Sequence, residues 1–244
     1  MASFALKTLL PVCAVYLAVA CASAVIDPQI ALALDVAAIF YGIFGPAVVN
    51  HGTSLDLSLI SFPHLAERFE LITIITFGEA VVTVAEVAEH FGFGTVSLMT
   101  FSVVVLLFGC YVVFMHNLVE HRQLRRGLRL IYCHFFIVIA VNLFTVSLNL
   151  LVEEPEPTLA VCGIGATAIA VFFLCLFLLA KYLREGVGFA ARDWTVLGVV
   201  AVAGCVLTFA GLAGSMAALF AGPLVAAAGC FVYLLYKDKG LSRR

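Results

Sequence analysis

Residues 64–90 read HLAERFELITIITFGEAVVTVAEVAEH. The stretch is long and apolar enough to cross a bilayer, yet it carries Glu67, Arg68, Glu70, Glu79, Glu86 and Glu89, with His64 and His90 at its ends. A charge at bilayer depth costs ~2.5 kcal/mol or more on insertion scales, so such groups are paired or used. Carboxyl, imidazole and guanidinium groups within one span have the chemistry to bind an ion or exchange a proton. Turning about 100° per residue from His64, the side chains of Arg68, Glu79, Glu86, His90, Thr83 and Thr76 share a stripe about a third of the circumference wide. The opposite side is Ile, Val, Phe and Ala, and Gly78 beside Glu79 admits a close backbone. Glu70 departs from the stripe and is expected at headgroup level.

A second polar face lies on residues 128–152. His134, Asn142, Thr145 and Asn149 fall on one side of a helix there. Two polar stripes on separate spans are satisfied by facing each other or a shared wet cavity. Asp35, inside another apolar run, is a third candidate wall. The expected proton- or substrate-binding set is therefore Glu79, Arg68, Glu67, His64, Glu86, His134, Asn142, Asn149 and Asp35. Blander roles compete with this one. Glu67 with Arg68 suits an interfacial ion pair, and His134 suits a hydrogen-bonded packing residue. Glu86, near the far end, suits solvation.

The elements that must position these groups follow from composition. The chain has 244 residues, 64% hydrophobic and 11% charged, with mean hydropathy +1.16. Soluble domains have roughly a quarter charged residues, so this chain lacks the surface of a soluble fold. Apolar runs recur at 5–26, 29–50, 64–90, 95–115, 128–152, 159–183, 194–214 and 217–236. Each is about long enough for a ~30 Å hydrocarbon core. The expected fold is all-α, a polytopic transmembrane bundle of about eight spans forming a single integral-membrane domain over 1–244. The first run, with Lys7 before it and Ala22-Ser23-Ala24 at its end, also has the layout of a secretory signal, but its length favours a retained span. Gly-rich spans near the C-terminus, with Gly198, Gly204, Gly211, Gly222 and Gly229, suit close helix packing.

Orientation follows from Lys and Arg in short loops. Arg122, Arg125 and Arg126 lie in one loop, Arg184 and Arg192 in another, and Lys237, Lys239, Arg243 and Arg244 in the tail. The connections at 27–28, 91–94, 153–158 and 215–216 hold neither residue type. Eight spans alternate without conflict if both termini and the basic loops face the cytoplasm. The formal net charge of −2 points to no nucleic-acid partner.

Enzyme signatures are lacking: there is no H-E-x-x-H, no G-x-S-x-G and no phosphate-binding glycine loop. Glu86, Glu89 and His90 are metal-ligand types without a companion motif. All eight cysteines sit inside apolar runs, without a C-x-x-C pair, and read as packing residues. No catalytic residue, metal or cofactor is expected.

The run from His64 to Val81 resembles the signature of the bacterial low temperature requirement A family, approximately H-x-x-E-R-F-G-L-F-x-I-I-x-L-G-E-S-V. His64, Glu67, Arg68, Phe69, Leu71, Ile74, Ile75, Gly78, Glu79 and Val81 match it. Glu70, Ile72, Phe77 and Ala80 stand where the family has Gly, Phe, Leu and Ser. The layout resembles the family's C-terminal half. Its members begin with an earlier half carrying E-L-F-F-D-L-V-F, for which this chain has no counterpart. The resemblance therefore implies a short member, a truncated product, or a partner that supplies the missing half. It implies a multi-pass protein of the bacterial inner membrane; the family's name reports a growth phenotype in the cold and brings no reaction with it.

Two functions are expected in competition. One is a proton-coupled small-solute or ion transporter with Glu79 as the protonatable group, Arg68 and His64 as its neighbours, and His134, Asn142 and Asn149 as the facing wall. The other is a non-transporting membrane protein of cold adaptation, assembly or sensing. Expected partners are membrane lipids and either a second copy or the chain that supplies the missing half.

Overall fold

The structure is a computed structural model that describes residues 10–11, 13–15, 17–18, 27–49, 62–121 and 127–242. Most of the expected first span, the connection at 50–61, the loop arginines at 122–126, and Arg243 and Arg244 lie outside the described residues. Contacts divide the chain into two compact units, Met1–Leu59 and Ile60–Arg244.

In the first unit, α1 runs over Pro28–Val49. Asp27 caps it: its Oδ1 accepts from the Gln29 N–H at 2.8 Å. Pro28 then takes the first helical position, where its missing N–H leaves nothing unsatisfied. Asp35 sits on this helix, half-buried.

The second unit holds α2 (Phe62–Phe91), α3 (Thr95–Val112), α4 (Leu128–Glu153), α5 (Leu159–Leu178), α6 (Ala191–Thr208) and α7 (Met216–Ser242). Four helical tails deviate from α geometry or outrun the apolar pattern. A π-helical turn, Val113–Leu118, extends α3. Single 3-10 turns, Leu179–Tyr182 and Phe209–Ala213, extend α5 and α6. The last helix continues beyond the expected residue 236 because Lys237 and Asp238 find partners on neighbouring helices. Among the described residues six helices are long and apolar enough to span a membrane, from Phe62–Phe91 to Met216–Lys239, against about eight spans expected; most of the first expected span lies outside those residues. No strand occurs among the described residues. The all-α membrane bundle expected from the apolar runs is what forms.

These six helices close a ring: α2 packs on α3 and α4, α3 on α7, α4 on α5, α5 on α6, and α6 on α7. The interior is filled with aromatic rings. Phe77 of α2 lies 5.3 Å from Phe108, 6.4 Å from Tyr111 and 6.2 Å from Phe172, ring centre to ring centre. Tyr111, Phe114, Phe172 and Phe173 are all fully buried. Cysteines pack as small residues with a weak donor. The Cys110 thiol reaches the Ala227 carbonyl at 3.5 Å, and the Cys205 thiol reaches that of Ala166 at 3.4 Å.

The closest helix contact is between α6 and α7. A Cβ built on Gly204 would lie 2.5 Å from the Ala226 Cβ and 2.7 Å from the Gly222 carbonyl. A Cβ on Gly222 would strike the Gly204 carbonyl and the backbone and hydroxyl of Thr208. Backbones this close require glycine on both sides. Gly204→Leu is expected to destabilise the protein by about 1–3 kcal/mol, read as earlier unfolding in detergent. Gly78→Leu, whose Cβ meets nothing within 4 Å, should leave the unfolding midpoint near wild type.

Candidate functional site

The polar stripe of α2 divides on folding. Thr73, Thr76 and Thr83 are buried, together with Phe77, Ala80, Val84 and Val87. The Thr73 hydroxyl donates to the Phe69 carbonyl at 2.8 Å and that of Thr76 to Ile72 at 3.0 Å, so each is satisfied within its own helix. Glu79 and Glu86 point the other way and are exposed, as are Arg68 and His90. Their neighbours on that side include Ile75, 72% exposed, and Val82, 60% exposed. The side that packs into the ring is thus the apolar one opposite the carboxylates.

The expected meeting of two polar stripes therefore does not form. His134 is fully buried and faces α2, but its neighbour there is the Phe69 ring, 5.3 Å away. The Asn142 amide donates to the Val138 carbonyl of its own helix at 3.0 Å, and Asn149 is exposed. Thr145 is buried and bonds to the Asn142 carbonyl at 2.8 Å. His64 Nδ1 lies 3.8 Å from Glu67 Oε2, one turn along α2, with both side chains largely in the open. Glu67 thus pairs with His64 in place of the expected Arg68. Asp35 belongs to the first unit.

A buried polar cluster forms elsewhere, joining His134 to Tyr111 and bringing Glu70 and His121 together, groups that helical periodicity does not associate. Glu70 does not turn to the headgroups. It lies partly inside the ring, with Oε1 3.1 Å from His121 Nε2, a distance that makes an ion pair with the protonated imidazole but in a geometry out of line for a hydrogen bond; the two atoms are buried and neither makes a hydrogen bond among the described residues. Deeper in, the Tyr111 hydroxyl and His134 Nε2 are 3.0 Å apart, and His134 Nδ1 is 2.8 Å from the Leu130 carbonyl. A carbonyl only accepts, so Nδ1 carries the hydrogen there; Nε2 of that tautomer accepts from the tyrosine. Two polar pairs, Glu70 with His121 and Tyr111 with His134, thus lie toward the end of the ring that carries His121. His134 is legible in the sequence as a hydrogen-bonded packing residue; the signal that was missed is Tyr111, a phenol within an apolar span that must find a partner.

The same end of the ring holds two further polar locks. Asp193, in the first turn of α6, accepts from the Ala190 N–H at 2.7 Å, from Lys237 Nζ at 2.6 Å and from the Tyr233 hydroxyl. Arg184 caps the π-helical turn: its Nη2 donates to the His116 carbonyl at 3.1 Å and its Nε to that of Val119 at 3.2 Å. A π-turn leaves carbonyls without their usual i+4 partners, and the guanidinium supplies donors for them. Among the described residues no group of three or more His, Cys, Asp or Glu side chains is placed to hold a metal ion.

A ring of long apolar helices with buried polar pairs near one end defines a polytopic helical membrane protein. The E-R-F and G-E positions of α2 narrow this further. The chain matches the family described as bacterial low temperature requirement A protein (LtrA) over residues 2–235, and it belongs to that family. Comparison with the curated proteins and with the solved structures gives no match.

Tyr111→Phe removes the donor to a fully buried ring nitrogen, which costs about 1–3 kcal/mol. In a double-mutant cycle with His134→Leu, the pair should couple by on the order of 0.6 kcal/mol, measured by unfolding in mixed micelles. Strictly additive losses would contradict the contact.

Proposed function

We propose that this protein is a proton-coupled transporter of a small solute or ion in the bacterial cytoplasmic membrane. The carrying observation is Glu79, an exposed carboxyl in the middle of a long apolar helix. Bare lipid is a costly neighbour for it. The aromatic filling of the ring favours a path along the outer face of α2 over one through the ring. Glu79 binds the proton. Glu86 and His90 continue the row along the same helix, two and three turns further on. Reconstitution in liposomes with a lumenal pH dye tests this: Glu79→Gln should reduce substrate-driven proton flux at least tenfold. Flux equal to wild type removes Glu79 from the mechanism.

A second reading draws on the same face. Gly78 beside Glu79 has open space around it, which suits docking of another helix, from a second copy or a partner chain, in a non-transporting assembly or sensing protein. It predicts no flux at any pH for wild type, and loss of oligomers in detergent for Glu79→Gln. In either case the role is that of a carrier or binding protein without catalysis.

The orientation we propose has both termini and the basic end of the ring in the cytoplasm. Arg184, Arg192, Lys237 and Lys239 are all at that end, while the turns at 92–94, 154–158 and 214–215 have neither lysine nor arginine. A reporter active only in the cytoplasm should work when fused after residue 188, and one active only outside should work after residue 156. The reverse pattern would invert the assignment.

A further inference from the structure

Near the basic end, a groove of about 550 Å³ opens on the outside of the ring between α4, α5 and the start of α6. Arg129, Leu174, Phe177, Leu178, Lys181 and Trp194 line it. We propose that this groove is a binding site for one anionic phospholipid molecule.

The distribution of chemistry along the groove matches that of such a lipid. Leu174 and Leu178 stand one turn apart on α5 and are strongly exposed, 59% and 45%. They offer an apolar rail to an acyl chain. Lys181 follows in the 3-10 turn that extends this helix, three residues past Leu178 and about 6 Å nearer the end of the bundle at ~2 Å per residue. Arg129, in the first turn of α4, faces the same groove. Two cations therefore stand at the mouth and hydrocarbon lies behind them. Basic pockets between transmembrane helices bind the phosphate headgroups of anionic lipids on this principle. Trp194 closes the side, its ring 5.9 Å from that of Phe177 and 5.1 Å from that of Phe189. An indole with an apolar body and a polar N–H belongs at headgroup level. A zwitterionic lipid would bring its own cation to the two already there, so charge complementarity selects the anionic class.

The single tryptophan of the chain makes the test direct. The full-length protein is reconstituted in phosphatidylcholine vesicles, and Trp194 emission is followed as brominated phosphatidylglycerol or brominated phosphatidylcholine is introduced. Wild type should prefer phosphatidylglycerol on the order of tenfold, from two basic side chains. Arg129→Gln with Lys181→Gln should bring the ratio near one, while Arg129→Lys with Lys181→Arg should keep it. Raising salt should erode the preference in wild type, since a headgroup pair near water is screened. Equal quenching by the two lipids, a salt-insensitive preference in wild type, or an unchanged preference in the double glutamine variant would overturn the proposal. So would displacement of the lipid by inorganic phosphate beyond that caused by sodium chloride at the same ionic strength, which would mark a site for a free anion.

Discussion

Hydrocarbon supplies no hydrogen bonds, and this scarcity decides where each polar side chain of the ring can go. Groups that can be satisfied by their own helix are free to turn inward. Thr73, Thr76 and Thr100 donate to carbonyls four residues back and pack in the interior as if apolar. A buried thiol does the same across a helix contact, as Cys110 does to Ala227. Groups with more to satisfy need a partner from another helix, and His134 obtains one from Tyr111. Carboxylates are the hardest to accommodate. Glu70 and Asp193 are placed near the ends of helices, against cations or imidazole, whereas Glu79 and Glu86 leave the interior altogether.

The ring that results has unlike ends. One end joins α3, α5, α6 and α7 through Arg184, Asp193, Lys237 and the short antiparallel bridge between Val119 and Leu183. The other is closed by tight turns such as Gly92, which takes a left-handed φ of 76° and offers its carbonyl to the Ser97 hydroxyl at 2.6 Å. Between them the core is aromatic and filled. An element that must respond to a proton or a partner is therefore best sought on the outside of this frame. The carboxylate face of α2 is such an element, standing on a helix whose opposite face is held by Phe77 and its ring contacts.

Much of this was legible in the sequence. Among the described residues the approximate limits of six spans followed from apolar runs, and the helical wheel put Glu79, Glu86 and Arg68 on one side of their helix, where they are. What the wheel does not supply is which side faces the bundle. In water the apolar face turns inward; in a bilayer the lipid is as apolar as the core, so hydrophobicity does not distinguish in from out. The expected apposition of Glu79 with His134 assumed that polar faces seek each other, and close packing by Phe77, Ala80 and Val84 prevailed instead. Glu70 was misplaced for a related reason. Its partner, His121, lies about fifty residues along the chain in a loop, and no periodicity joins the two. The lengthening of α7 to Ser242 likewise depends on Asp193 and Asn117, which sequence order keeps far away.

The central claim is that α2 buries its apolar face and turns Glu79 away from α4. Photo-crosslinking tests it most directly. With p-benzoylphenylalanine at position 77, irradiation in membranes should yield crosslinks to α3 or α5, near Phe108, Tyr111 or Phe172. With the same group at position 79, no crosslink to α4 should form. Peptide mapping that found position 79 joined to the His134–Asn142 stretch would contradict the account and restore the polar cavity between the two helices.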